Sequence, residues 1–117
     1  MRRSVAMLSV SIAVIGLSCG ITALADVPDS VTISAAKTPA DHEAIAKAYE
    51  AEAASLEKMA AMHKNLGETY GGQAGGKSWH MAQAKHCKSV ASDLASAAKE
   101  ERALAAEHRK MAKESAK

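Results

Sequence analysis

The sequence predicts an all-α fold, an antiparallel helical hairpin that dimerises into a four-helix bundle. Three observations carry this expectation. Two stretches place seam-forming residues at alternating steps of three and four, a Gly-rich segment separates them, and the composition leaves little for a sheet. Ala fills 23 of the 92 positions from Asp26 onward, Phe is absent, and Trp79, Tyr49 and Tyr70 are the only aromatic residues there. So few aromatic and β-branched residues exclude a sandwich or barrel, and so short a chain excludes a large enzyme core.

Residues 1–25 read as a cleaved secretory signal. Arg2 and Arg3 form a positive start, Val5 to Leu17 is an apolar run, and Ala23-Leu24-Ala25 is a small-x-small cleavage site. The apolar run is too short to span a bilayer comfortably. Gly16-Leu17-Ser18-Cys19 resembles a lipoprotein box but has Gly where a Leu-like residue is expected, and Arg2-Arg3 lacks the flanks of a twin-arginine signal. The expected location is periplasmic or secreted, with membrane attachment only through an uncleaved or lipidated leader. Of 15 Lys and Arg, two lie in that leader, so the remainder balances the 13 Asp and Glu and offers no basic patch for nucleic acid. One cysteine then remains, Cys87, in an oxidising compartment.

Residues 26–37 have no period and are expected to be an extended or disordered lead. Thr38-Pro39-Ala40-Asp41 is a helix start: the Thr hydroxyl caps, Pro suits the first helical position, and Asp reaches back to the cap. The first helix is expected over 39–67, broken by Gly67 and the glycines at 71, 72, 75 and 76. A loop over 68–77 follows, and Ser78 caps a second helix over 78–114.

The expected seam of the first helix is His42, Ile45, Tyr49, Glu52, Leu56, Met59, His63 and Leu66. That of the second is Cys87, Val90, Leu94, Ala97, Glu101, Leu104, His108 and Met111, the first set displaced by one constant interval, as in an internal repeat. Beside these run heptads of alanine, Ala46, Ala53 and Ala60, and Ala84, Ala91, Ala98, Ala105 and Ala112. Their methyl side chains allow helix axes to approach at or below ~8–10 Å. So thin a core makes a lone hairpin marginal, which is why a homodimer is expected.

Folding the chain back at its glycines sets His63 against Cys87 and His42 against His108. The candidate metal ligands are His63, Cys87, Met59, His86, His42 and His108. Imidazole, thiolate and thioether suit Cu(I), and imidazole with thiolate suits Zn²⁺. One hairpin offers only pairs, and a dimer would double them. The plainer reading makes the same residues packing and register elements of a structural or stress-related envelope protein, with redox chemistry at Cys87 as a third possibility.

Gly71-Gly72-Gln73-Ala74-Gly75-Gly76-Lys77-Ser78 satisfies the phosphate-loop pattern, but no strand is predicted before it, and nucleotide binding is not expected. Trp79 is expected to cover the end of the hairpin. No Ser/His/Asp set has a strand–turn context and no carboxylate dyad falls in a predicted cleft, so no enzyme is expected.

Overall fold

The computed structural model describes residues 27–117, apart from 74 and 76 and the side chain at 31. The expected leader lies outside the described residues. Three helices follow in order: α1 (Ser30–Ala35), α2 (Pro39–Gly72) and α3 (Ser78–Ser115). α2 and α3 pack against each other along their length, and no strand occurs among the described residues. The molecule is a helical hairpin.

Each helix begins for a local reason. Asp29 accepts the Thr32 N–H at 2.7 Å, which starts a six-residue helix inside the lead expected to be extended. Just after it, Ala36 packs against the buried cluster of Ile45, Ala46, Tyr49 and Ala105. At α2 the Thr38 hydroxyl accepts the Asp41 N–H at 3.1 Å, and the Asp41 carboxylate accepts the Thr38 N–H at 2.9 Å. This is a complete capping box with Pro39 at its start. The Lys37 N–H also donates to Asp41, and these backbone donors hold its carboxyl below the usual range. At α3 the cap residue is Lys77 rather than Ser78, and no side chain caps the helix.

α2 runs through Gly67 to Gly72, a full turn beyond its expected end. Tertiary packing overrides the weak helix propensity of glycine here. Gly67 is buried against α3, where a Cβ would meet Lys88 Cγ at 3.1 Å and the Ala84 carbonyl at 3.2 Å. It is a contact glycine, needed for close approach rather than for ending the helix. Gly75 takes the left-handed φ of +23° in the turn that reverses the chain.

The seam differs from expectation in one respect. Its centre combines half of each expected heptad with the alanines. On α2 these are His42, Ala46, Tyr49, Ala53, Leu56, Ala60, His63 and Gly67, and on α3 Ala84, Cys87, Ala91, Leu94, Ala98, Glu101, Ala105 and His108. The side chains sealed most completely among the described residues are alanines 46, 53, 98 and 105. Leu66, Leu104 and Met111, expected in the seam, stand about 40 % exposed along one edge. The physical reason is distance: methyl groups draw the axes together, and the larger residues are pushed to the flank.

Candidate functional site

Contacts near both ends fix one register. His42 faces His108 near the chain termini of the hairpin, Gly67 lies against Ala84, and Tyr70 faces His80 with ring centroids 6.3 Å apart beside the turn. Stepping by heptads from His42/His108 gives the layers Tyr49/Glu101, Leu56/Leu94, His63/Cys87 and Tyr70/His80. Between them lie layers of Ala against Ala, or Gly against Ala. All the groups able to do chemistry in the seam therefore occupy one alternate set of layers, with methyl spacers between.

The best-defined layer is at the open end. His42 Nδ1 and His108 Nδ1 are 3.1 Å apart, with ring centroids at 5.4 Å. A neutral pair satisfies this contact with one N–H donor and one lone-pair acceptor. His108 is buried, only 7 % exposed, and packs on Tyr49 with centroids 5.8 Å apart. Burial pushes its pKa below 6.5, the neighbouring His42 adds to the lowering, and Glu107 opposes it. Both effects favour neutral imidazole, the form that accepts a proton or a metal ion.

The next chemical layer holds two carboxylates that the sequence reading left without a dyad. Glu52 Oε2 and Glu101 Oε2 are both buried and lack hydrogen-bond partners. Burial raises the Glu101 pKa, and the charge of Glu52 raises it further. Their pairing becomes readable once the alanine heptad is taken as the seam itself, because Glu101 then faces Tyr49 and Glu52 flanks it.

Toward the turn, Cys87 is a buried free thiol whose Cβ lies 3.4 Å from the position a Cβ of Gly67 would take. His63 shares its layer by register, and the Nδ1 of His63 is buried without a hydrogen-bond partner. The same holds for His80 Nδ1 in the next chemical layer. Met59 is half-buried beside His63. His86 is exposed, away from the seam, and so is Met62. Trp79, expected to close the hairpin end, is 56 % exposed, and its ring lies tilted against His80 with centroids 3.7 Å apart.

Among the described residues, no group of three or more His, Cys, Asp or Glu side chains is placed to hold a metal ion. One hairpin brings together pairs. Gly71 and Gly72 belong to α2, so the phosphate-loop pattern runs over a helix end. No described helix is long and apolar enough to cross a membrane. No known protein family, curated protein or solved structure matches this chain.

Proposed function

We propose that this chain is a small exported, non-enzymatic helical-hairpin protein that binds a transition metal through histidines of its seam. It works as a homodimer, two hairpins forming a four-helix bundle, and its task is to buffer or carry the metal. The observation that carries the reading is the Nδ1–Nδ1 separation of 3.1 Å between His42 and His108. Two imidazole nitrogens bound to one tetrahedral Zn²⁺ stand about 3.3 Å apart, given Zn–N bonds of ~2.0–2.1 Å. The pair needs only a small opening to take such an ion. Linear two-coordinate Cu(I) would need a wider opening, so the open end suits Zn²⁺ better. The softer His63/Cys87 layer, with Met59 beside it, suits Cu(I). The remaining coordination positions fall to water or to a second copy of the chain.

Calorimetric titration of the purified protein with Zn²⁺, and competition with a Cu(I) chelator, test this. Binding at micromolar dissociation constants or tighter is expected. His42→Ala should weaken Zn²⁺ by at least tenfold, and His63→Ala with Cys87→Ser should weaken Cu(I). Binding weaker than about 100 μM for both ions, or binding indifferent to all these changes, overturns the proposal. The structural alternative has an observation of its own, a Glu–Arg ladder along one edge of the hairpin in which Arg102 pairs with Glu57 and Arg109 with Glu50 and Glu43. That ladder sets register without any metal, and the same titration decides between the two readings.

A further inference from the structure

The two edges of the hairpin differ in chemistry. On one, Arg102 forms a two-pronged pair with Glu57 at 2.8 and 2.9 Å, and Arg109 pairs with Glu50 and reaches Glu43 at 3.7 Å. The other carries Ile45, Glu52, Met59 and Leu66 from α2, and Val90, Ala97, Leu104 and Met111 from α3. These positions repeat every heptad one step before the seam alanines, so both helices present them to the same side of an antiparallel pair. At the open-end part of this edge Ile45 is buried, and Ala36, just after α1, packs against its cluster. On this edge Leu66, toward the turn, and Leu104 and Met111, toward the open end, remain exposed. Within the stripe the only charges are Glu52 and, beside it in the seam, Glu101, whose Oε2 atoms are buried and unpartnered.

We propose that this apolar edge is the docking surface for a second copy of the chain, and that Glu52 and Glu101 make the docking take up protons. The inference rests on the dimeric reading above and adds its surface and its control. Three features favour a second copy. The stripe runs ~30 Å along each helix, Ile45 to Leu66 and Val90 to Met111, and across two helices ~8–10 Å apart its footprint is of the order of the roughly 800 Å² per partner of a stable interface. The near balance of 15 basic and 13 acidic residues leaves two copies little net repulsion. The seam of one hairpin seals mainly alanines, so the larger apolar residues are buried only if something lies on this edge.

The proton link follows from what docking does to the carboxylates. The charged groups facing the pair across the packed helices are each other. Arg102 and Arg109 point to the opposite edge and are taken by Glu57, Glu50 and Glu43. Tyr49 shares the layer of Glu101. His108, which packs on Tyr49, has its pKa lowered, chiefly by burial. With no cation opposite, covering the edge removes water from two like charges, and the dimer binds protons more tightly than the monomer. Association therefore strengthens as pH falls toward the carboxylate range.

Sedimentation equilibrium of the purified protein, with chelator present to exclude metal-driven association, tests this at pH 7.5 and 5.0. For the wild type, the dimer dissociation constant should be at least tenfold lower at pH 5.0. Glu52→Gln with Glu101→Gln keeps every histidine, and should dimerise at pH 7.5 as tightly as the wild type at pH 5.0. Leu66→Lys with Leu104→Lys should be monomeric at both values, while circular dichroism reports intact helices. A wild-type dimer with equal affinity at both pH values, or a double-Gln protein keeping the full pH response, overturns the proton link and leaves the dimer standing. A dimer that survives both lysines overturns the surface. A wild-type monomer at about 100 μM and both pH values overturns the dimer itself, and the inference with it.

Discussion

Gly67 is a point of close approach between the two helices. An added Cβ there has the Lys88 side chain at 3.1 Å and the Ala84 carbonyl at 3.2 Å, and the backbone neighbour cannot swing away. Gly67→Ala should destabilise the hairpin by about 1–3 kcal/mol through overpacking. Gly72, in the last turn of α2, has nothing within 4 Å of such a Cβ. Gly72→Ala should be neutral or stabilising, by up to ~1 kcal/mol, from helix propensity alone. Thermal melts of the two variants check the contrast, and equal effects would remove the close-contact role of Gly67.

His108, buried, and Glu101, half-buried, make opposite contributions to stability against pH. His108 has its pKa lowered below 6.5 in the fold. As pH falls through that ordinary value, the unfolded chain takes up the proton first, so stability is lost until the lowered folded value is passed. Glu101 has its pKa raised above 4.5, so the folded state holds the proton first. Its share of stability grows as pH falls through the raised value and levels off below 4.5. Glu101→Gln should therefore raise the melting temperature at pH 7, with the gain over wild type shrinking near pH 4. His108→Gln should flatten the loss of stability between pH 7 and 5. Melting temperatures across that range report both slopes separately.

At the scale of the helix, the start of α2 was written plainly in Thr38-Pro39-Ala40-Asp41, and the observed capping box is the one those residues specify. Thr38→Ala removes the acceptor for the Asp41 N–H and should cost about 1 kcal/mol, visible as a lower melting temperature. The start of α3 has no such signature. Ser78 is the first helical residue and the cap position falls to Lys77, so Ser78→Ala should change little. The Arg102–Glu57 pair joins the two helices through exposed side chains, and salt should screen it. Arg102→Ala should lower the melting temperature slightly in low salt, with the difference vanishing near 1 M salt. A difference independent of salt would point to packing by the arginine stem.

For the whole molecule, one seam serves packing and chemistry together. Alanine layers bring the helices close enough for the His42 and His108 nitrogens to meet, and the same closeness forces leucine and methionine to the edge. A metal that binds only the folded hairpin should stabilise it by ~2.7 kcal/mol at a hundredfold excess over its dissociation constant. A rise in melting temperature with Zn²⁺ that disappears in His42→Ala would tie that gain to the open end.

The pairing of His42 with His108 was legible because it needs only the heptad period and a reversal at the glycines. The meeting of Glu52 with Glu101 was not, because it depends on which of two neighbouring heptads forms the contact. By itself the sequence determined two long helices, the first cap, the reversal between them and the facing histidines, all consequences of local period and turn chemistry. Only the tertiary structure decided that α2 continues through Gly67, that the lead forms α1, and that alanines fill the centre while leucines stand at the rim. The reason is that such choices turn on how closely two backbones approach. That distance is set jointly by side chains far apart in the chain, and no local pattern encodes it.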